Sequence, residues 1–206
     1  MDYVSGTTTA ILKNEALSAG PNPGHGEAAL RQAALEGNGR AFSDLVRAHL
    51  PMMYRVAMRG CSNASLAEDA VQESLTVAFN KLDTYKPGTS LKSFLASIVV
   101  KRTYTLVRSE KRRRGREDSS SRPQVMASPL ENVEFADLSK RIREVLATMP
   151  KKRRMAVMLR LDGGLDNAEI ASALGSSEGS VRVLVHLALK ELKEGLSGYL
   201  DGGERR

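Results

Sequence analysis

Residues 166–192, with the sequence DNAEIASALGSSEGSVRVLVHLALKEL, contain two helical patterns separated by a glycine. Asp166 or Asn167 can cap the first helix, and Gly175 can adopt the positive φ that a sharp turn between helices requires. In the second helix, apolar residues recur at intervals of four, three and four, which places them on one face. The segment therefore predicts a helix-turn-helix. The residues expected to pack between its helices are Ile170, Ala171, Leu174, Val181, Val185, Ala188 and Leu192.

A helix-turn-helix can present its second helix to the DNA major groove, but a packing hairpin without a DNA role fits the same pattern. The basic run Lys151–Arg154 favours DNA, because cations at a helix N-terminus oppose the helix dipole and are better placed beside phosphate. Leu184 and Leu187 interrupt the outer face of the second helix, and we expect a protein partner or the N-terminal part of the chain to cover them. The polar residues left to meet DNA are Ser176, Ser177, Ser180, Arg182, His186 and Lys190.

Helical periodicity also dominates the rest of the chain. Aromatic residues make up only 4% of it and tryptophan is absent, which disfavours a large β-sandwich or barrel. We predict an all-α protein of two small helical domains, residues 27–110 and 135–196, joined by a flexible basic linker at 111–134. Residues 1–26 and 197–206 are expected to form a disordered N-terminal tail and a polar C-terminal tail.

Turn and capping residues divide the first domain into helices. Gly37–Gly39 breaks the first helical run, and Pro51 marks a kink or a boundary between two helices. A further helix is expected to begin near Ser65, where Ser-Leu-Ala-Glu has the spacing of a capping box. The loop at 83–90 precedes a run from Leu91 whose spacing favours a helix, although its β-branched residues leave a buried strand open.

Charge and cysteine content narrow the possible functions. The chain carries 31 Lys and Arg against 24 Asp and Glu, and this basic excess suits a polyanionic partner. The single cysteine, Cys61, excludes an intramolecular disulfide and a cysteine-based zinc site, which favours a reducing cytoplasm. The three histidines lack metal-ligand spacing, and no glycine-rich phosphate loop or nucleophile–base pair is visible. We therefore expect a cytoplasmic binding protein rather than an enzyme, with no metal, cofactor, small-molecule substrate or membrane segment.

Two long stretches of the chain resemble one protein family. The segments EAALRQAALEGNGRAFSDLVRAHLPMMYRVAMR and AEDAVQESLTVAFNKLDTYKPGTSLKSFLASIVVKRTYTLVRSEKRR are similar to region 2 of bacterial RNA polymerase sigma factors of the extracytoplasmic-function (ECF) type. The segment IREVLATMPKKRRMAVMLRLDGGLDNAEIASALGSSEGSVRVLVHLALKEL is similar to their region 4. The resemblance implies a promoter-specificity subunit that keeps only these two regions and binds core RNA polymerase. Region 2 would recognise and melt the -10 element of promoter DNA, and region 4 would contact the -35 element.

The resemblance also implies which residues bind the polymerase. The helix near Ser65 carries an acidic and polar face opposite Val71, Leu75 and Ala78. Sigma factors of this type use the corresponding face to bind the coiled-coil helices of the largest core subunit. The matching residues are Glu68, Asp69, Gln72 and Glu73. Without the resemblance, an ordinary solvated face is the simpler interpretation.

The loop from Thr84 to Ser90 and the helix after it match the segment that separates the promoter strands. Holding unstacked bases requires cationic and aromatic side chains around a single strand. The residues of these types are Tyr85, Lys86, Lys92, Phe94, Lys101, Arg102, Tyr104 and Arg108. Phe94 fits a core position equally well. Lys101 stands where the resembling family has Asn. This difference affects which bases are captured and how efficiently the promoter duplex is melted.

Region 4 departs from the family pattern on its second helix. Leu184 and Leu187 occupy positions where the resembling family typically has Arg, which removes phosphate contacts and predicts weak binding to the -35 element. Arg182 could still read a guanine edge, and Ser176 and Ser177 could bind phosphate. The alternative is a sigma-like regulator that acts mainly through protein partners, as an anti-sigma decoy or a weak DNA binder. We expect a separate anti-sigma protein as a partner.

Overall fold

The computed structural model describes residues 26–61, 63–85, 90–116 and 133–197, and every regular element within those ranges is helical, as predicted. The described part of the N-terminal block, residues 26–116, contains a 3₁₀ turn at Leu82–Thr84 and five α-helices. These are α1 (Glu27–Leu35), α2 (Gly39–Arg47), α3 (Leu50–Gly60), α4 (Ala64–Asn80) and α5 (Leu91–Arg116). The C-terminal block, residues 133–197, contains α6 (Val133–Thr148), α7 (Lys151–Leu161), α8 (Asn167–Leu174) and α9 (Glu178–Gly195).

Polar caps and a proline set the boundaries of the first helices. The Asn38 side chain accepts two backbone N–H bonds at the start of α2, directly after the predicted break at Gly37. Pro51 lies in the first turn of α3, where its missing N–H costs no helical bond, so it marks a boundary rather than a kink. The N-cap of α4 is Asn63, two residues before the predicted start at Ser65. The Asn63 side chain accepts a hydrogen bond from the backbone N–H of Leu66 in the first turn. The predicted capping box at Ser65 is therefore wrong.

The long helices α4 and α5 pack against each other and against α3 around the core of the N-terminal block. Leu95, Val99 and Val100 of α5 are almost fully buried. The β-branched run is thus a helix rather than a strand, because tertiary burial outweighs its weak local preference. Helix α5 ends, and α6 begins, inside the predicted linker 111–134, whose middle lies outside the described residues.

The α8–α9 hairpin has the predicted geometry. Asp166 caps α8 and forms a capping box with Glu169, and Gly175 ends α8 in the left-handed conformation with φ of +58°. Pro150 precedes α7 as its N-cap. Helix α9 packs on α6, α7 and α8. Its predicted inner face is confirmed by the burial of Val181, Val185, Ala188 and Leu192.

The two blocks also pack directly against each other. Helix α5 contacts α7 and α8, and α3 contacts α6 and α7. The linker between the two blocks would not by itself bring these helices into contact. The packing of the blocks therefore depends on the side chains at their interface. The predicted tails at 1–26 and 197–206 lie outside the described residues except at Gly26 and Ser197.

Candidate nucleic-acid and polymerase interfaces

The polymerase-binding residues expected from the resemblance share one side of α4, while the apolar residues of that helix face the core. They are the exposed Glu68, Asp69 and Glu73 and the half-buried Gln72. The Glu73 carboxylate lies 3.6 Å from the guanidinium of Arg102 on α5, and both side chains are at least 40% exposed. Ion pairs this exposed contribute at most ~1 kcal/mol, so the acidic face stays available to a partner.

Tyr85 is buried rather than open to DNA. It is only 3% exposed, and its hydroxyl donates a 2.6 Å hydrogen bond to Glu27 of α1. Burial, together with this hydrogen bond, raises the pKa of Tyr85 to about 12. Arg31 of α1 donates to the Tyr85 backbone carbonyl and lies 5.8 Å from its ring centre. Tyr85 therefore ties α1 to the turn after α4, which corrects the expectation that it contacts DNA in this arrangement.

The other -10 candidates differ in accessibility. Lys101 and Arg108 are exposed, whereas Lys92, Phe94, Arg102 and Tyr104 are half-buried. Partial desolvation of its ammonium group, together with the neighbouring cations Lys81 and Lys151, lowers the pKa of Lys101. Mutually repelling cations of this kind are stabilised by an anion between them. Lys86 lies outside the described residues.

Two of the α5 residues contact the C-terminal block. The Lys92 ammonium donates a 2.6 Å hydrogen bond to the carbonyl of Gly164, in the loop before α8. The Tyr104 ring centre lies 4.5 Å from Nζ of Lys151 and 5.8 Å from the guanidinium of Arg154. Both cations belong to the basic run at the start of α7, so part of this run packs against an aromatic ring of the N-terminal block.

Phe94 lies at the edge of the hydrophobic core, beside a cleft between the two blocks. Its ring lies 5.4 Å from that of Tyr85, centre to centre, and it packs against the edge of the hydrophobic core. It also lines a cleft between the blocks, opposite Ser172 and Ala173 of α8. Phe94 is therefore part core residue and part interface residue.

The polar outer face of the α8–α9 hairpin is accessible. Ser177 caps α9 by accepting a hydrogen bond from Ser180 N, and the hydroxyls of these serines lie 3.0 Å apart. Lys190 lies 3.9 Å from Glu194, one helical turn further on. The exposed candidates are Ser177, Ser180, Arg182, His186 and Lys190, and Ser176 is half-buried. The N-terminus of α9 is thus open to a phosphate group.

Leu184 and Leu187 do not form one exposed stripe. Leu184 is half-buried on the hydrophobic core, because it lies three residues after Val181 and four before Ala188 and so borders their buried face. Leu187 is 36% exposed. The prediction of a Leu184/Leu187 stripe is corrected. The exposed apolar patch, named here the α9 patch, consists of Val183 and Leu187, one helical turn apart, whereas the exposed Leu189 lies on another side of α9.

The sequence matches two family models: Sigma-70 region 2 over residues 45–113 and Sigma-70, region 4 over residues 139–192. It is 30% identical over 166 residues to the ECF RNA polymerase sigma factor SigE of Mycolicibacterium smegmatis, covering 77% of this chain and 63% of SigE. It is 29% identical over 170 residues to EcfG, an ECF RNA polymerase sigma factor of Rhodopseudomonas palustris, covering 80% of this chain and 88% of EcfG. The chain belongs to the ECF-type sigma factors.

Solved structures share the fold. CnrH in complex with the cytosolic domain of CnrY superposes with a TM-score of 0.61 at 22% identity, covering 84% of this chain and 96% of the matched chain. The sigma factor RpoE, solved in complex with the anti-sigma factor NepR from Bartonella quintana, superposes with a TM-score of 0.60 at 23% identity. The match covers 77% of this chain and 98% of the matched chain. The N-terminal block accordingly holds sigma region 2, and the C-terminal block holds region 4.

The contact between regions 2 and 4 uses residues that the sequence did not single out. Arg59, near the end of α3, donates three hydrogen bonds of 3.0–3.1 Å to Asp162, which is only 7% exposed. The Ser93 hydroxyl donates a 2.8 Å hydrogen bond to Glu169 of α8. No local pattern indicates either pair, because each partner looks like an ordinary polar residue near a helix end.

Other site types find little support in the described part of the chain. No group of three or more His, Cys, Asp or Glu side chains among those residues could hold a metal ion. Cys61 is buried, and burial together with nearby Asp69 raises the pKa of its thiol to about 12, so the thiol stays protonated at neutral pH. Within the same ranges, no helix is both long and apolar enough to cross a membrane.

Proposed function

We propose that this sigma factor binds core RNA polymerase through the acidic face of α4 and directs it to promoters. Helix α5 would meet the -10 element, and the α8–α9 hairpin would meet the -35 element. The observation that carries the proposal is the α4 face, where Glu68, Asp69 and Glu73 are exposed on a helix whose opposite side is buried. Membership of the ECF-type sigma factors supports the same function.

Helix α4 suits a binding role because it is rigid before the partner arrives. Its N-terminus is capped by Asn63, and it packs on both α3 and α5. The backbone that carries the outer-face residues is therefore fixed before binding, which reduces the backbone entropy lost on binding. Their negative charge favours a basic partner surface and speeds encounter with it.

Retention by immobilised core polymerase tests the α4 assignment. D69K/Q72A should weaken retention about tenfold or more, which corresponds to ~1.4 kcal/mol of binding energy. The control variant E36K reverses an exposed charge at the C-cap of α1 and should be retained like the wild type. Equal retention of wild type and D69K/Q72A would exclude α4 as the polymerase-binding face.

Promoter DNA would meet two separate surfaces. The cations Lys101, Arg102 and Arg108 follow one another along α5 and can track a single-stranded phosphate backbone, with Tyr104 as a stacking surface. The exposed Arg182, in the second turn of α9, is placed to reach a base edge in the major groove.

Run-off transcription on genomic DNA fragments tests the promoter-directing role. Core polymerase supplied with this chain should start transcripts at discrete sites that core polymerase alone does not use. R182A should weaken the start sites selectively, because loss of a base contact costs about 1–3 kcal/mol at the affected base pair. A holoenzyme that assembles but starts no transcript contradicts this role.

A separate protein partner would cover the α9 patch. Val183 is 58% exposed and Leu187, one helical turn further on, is 36% exposed, and grouped exposed apolar side chains mark interaction sites in soluble proteins. Both structural neighbours were solved with a second protein, in one case the anti-sigma factor NepR. We assign an anti-sigma protein to this chain as well.

The α9 patch also favours a second candidate function, that of a regulator acting mainly through protein partners. Such a protein would bind an anti-sigma protein without forming an active holoenzyme. The core-polymerase retention assay separates the two, because a decoy would not be retained in wild-type form.

A further inference from the structure

Two residues of α1 hold the buried Tyr85 at two separate points. The Glu27 carboxylate accepts a 2.6 Å hydrogen bond from the Tyr85 hydroxyl, and the Arg31 guanidinium donates a 2.9 Å hydrogen bond to the Tyr85 backbone carbonyl. Glu27 and Arg31 are four positions apart, so they lie on the same face of α1. One contact is to the backbone and the other to the end of the side chain. Together they fix both the place and the orientation of the Tyr85 ring.

The chain that leads into Tyr85 is fixed as well. The Thr84 hydroxyl donates a 2.7 Å hydrogen bond to the carbonyl of Lys81, the C-cap of α4, and the Tyr85 N–H donates to the carbonyl of Leu82. Tyr85 therefore connects α1 to the end of α4 through hydrogen bonds. Hydrogen bonds are directional, whereas apolar burial is not, so this connection holds the ring in one orientation.

The Tyr85 ring packs on Phe94, near the start of α5. The ring centres lie 5.4 Å apart and the ring planes are tilted by 39°, within the range of favourable aromatic pairs. Phe94 is half-buried, and it also lines an open cleft of ≈ 370 Å³ between α4 and α5, together with Lys101 and Arg102. An aromatic ring beside cations suits an unstacked base and its phosphate. The position of Phe94 in this cleft thus depends on Tyr85.

A simpler interpretation is that these contacts only attach α1 to the fold. However, α1 is already attached by apolar packing, since Ala34 is fully buried and Leu30 and Ala33 pack against the core. A buried hydroxyl costs free energy unless it is hydrogen-bonded, and phenylalanine at position 85 would avoid that cost. A fully paired buried hydroxyl specifies one arrangement of its surroundings. The contact with Glu27 therefore suits positioning better than attachment.

From these contacts we propose that Glu27 and Arg31 are positioning residues that act through Tyr85. They hold the Phe94 ring where it can stack on a base of the melted -10 strand, although neither touches the DNA. The inference rests on the proposed function, which assigns α5 to the -10 element. Loss of either residue leaves the -10 surface complete but lets Phe94 move, and a binding group that is loosely held binds less well.

Tryptophan fluorescence tests the positioning of the ring at residue 94. The chain lacks tryptophan, so F94W introduces a single probe. Added to F94W, E27A and R31A should each raise the acrylamide quenching constant, because each removes one hydrogen bond that holds Tyr85. E27Q keeps an acceptor oxygen and should leave the constant unchanged. The control Q32A removes an exposed hydrogen bond to Glu36 at the other end of α1 and should also leave it unchanged.

Equal quenching constants for F94W with and without E27A or R31A would overturn the positioning. The measurement needs neither polymerase nor DNA, so it decides the positioning whether or not the proposed function holds. Circular dichroism checks that the variants keep their helix content. If F94W itself loses helix content, the transcription assay, in which Phe94 is kept, decides the proposal.

Run-off transcription tests the consequence for melting. The template is a fragment from which the wild-type holoenzyme starts a transcript, used as a full duplex and with its -10 segment held open by a non-complementary strand. On the duplex, E27A and R31A should give about fivefold fewer transcripts, the factor that corresponds to ~1 kcal/mol for one hydrogen bond. On the open template the loss should be smaller, because no base has to be captured from the stack. E27Q and Q32A should transcribe like the wild type on both.

A merely structural role predicts a different result. E27A would then lower the yield from both templates by the same factor, because only the fraction of folded chains would fall. That result, or equal yields from E27A, R31A and wild type on the duplex, would overturn the proposal. E27A/Y85F should be no worse than E27A, since both changes remove the same hydrogen bond. Absence of transcripts from the wild-type holoenzyme would count instead against the proposed function.

Discussion

Gly175 and Gly179 stand on either side of the turn into α9, but the backbone requires glycine at only one of them. Gly175 has φ of +58°, whereas Gly179 lies in the first turn of α9, and no atom lies within 4 Å of a Cβ added at either. G175A should therefore destabilise the chain by about 1 kcal/mol or more through backbone strain. G179A should stabilise it by about 0.4–1 kcal/mol. Urea denaturation measures both, and changes of the same sign would refute this account of the turn.

His49 should make the stability of the chain depend on pH. Burial lowers its pKa below 6.5, and nearby Glu27 opposes this while Lys92 adds to it. Between the folded and unfolded pKa values the unfolded chain binds more protons, so stability is present above pH 6.5 and falls as the pH decreases. The loss is at most about 1.4 kcal/mol per pH unit for one group. Denaturation midpoints of wild type and H49Q, compared from pH 7.5 downward, should diverge, and parallel curves would contradict the prediction.

Residue type alone could not decide which aromatic candidates stay accessible. Tyr85 and Phe94 follow one another closely along the chain and both suit stacking on bases. Tyr85 is buried because Glu27 and Arg31, from the first helix, close over it. Those partners lie more than fifty positions away, so no local pattern could reveal them.

At the scale of elements, we expect the outer face of α9 to determine how strongly region 4 binds DNA. L187R should steepen the dependence of log affinity on log salt for duplex DNA by about 0.9, because one more phosphate is neutralised. L187Q is the control and should keep the wild-type slope. L184R should instead cost about 1–3 kcal/mol of folding stability, because Leu184 borders the core. An unchanged slope for L187R would show that this face does not meet phosphate.

The helices themselves could be predicted well because their signals are local. The Asp166 cap and the left-handed Gly175 depend on neighbouring residues, and the structure has both as predicted. The end of α5 could not be predicted, because the charged run after Glu110 lacks apolar periodicity yet continues the helix. There Arg113 pairs with Glu110 along the same helix, which stabilises it without a core.

At the scale of the whole molecule, two small helical domains joined by a flexible linker were predicted, and the structure shows the two docked against each other. The pair Arg59 and Asp162 spans 103 positions in sequence, and its partners carry no mark that distinguishes them from solvated residues. The docking of two domains depends on complementary side chains that are far apart in sequence. The presence of each helical domain, by contrast, can be recognised from the local periodicity of apolar residues. This is why the two regions could be recognised from the sequence and their contact could not.

A double-mutant cycle on Arg59 and Asp162 tests whether the docked arrangement exists in solution. R59Q and D162N should each destabilise the chain toward urea, because each leaves one charge of the pair without its partner and Asp162 is only 7% exposed. R59Q/D162N should cost less than the sum of the two, with a coupling energy of about 0.5–3 kcal/mol. The matched cycle on the exposed pair Arg141 and Glu144, within α6, should give well under ~1 kcal/mol. Strict additivity at positions 59 and 162 would mean that regions 2 and 4 are not docked through this pair when the chain is free.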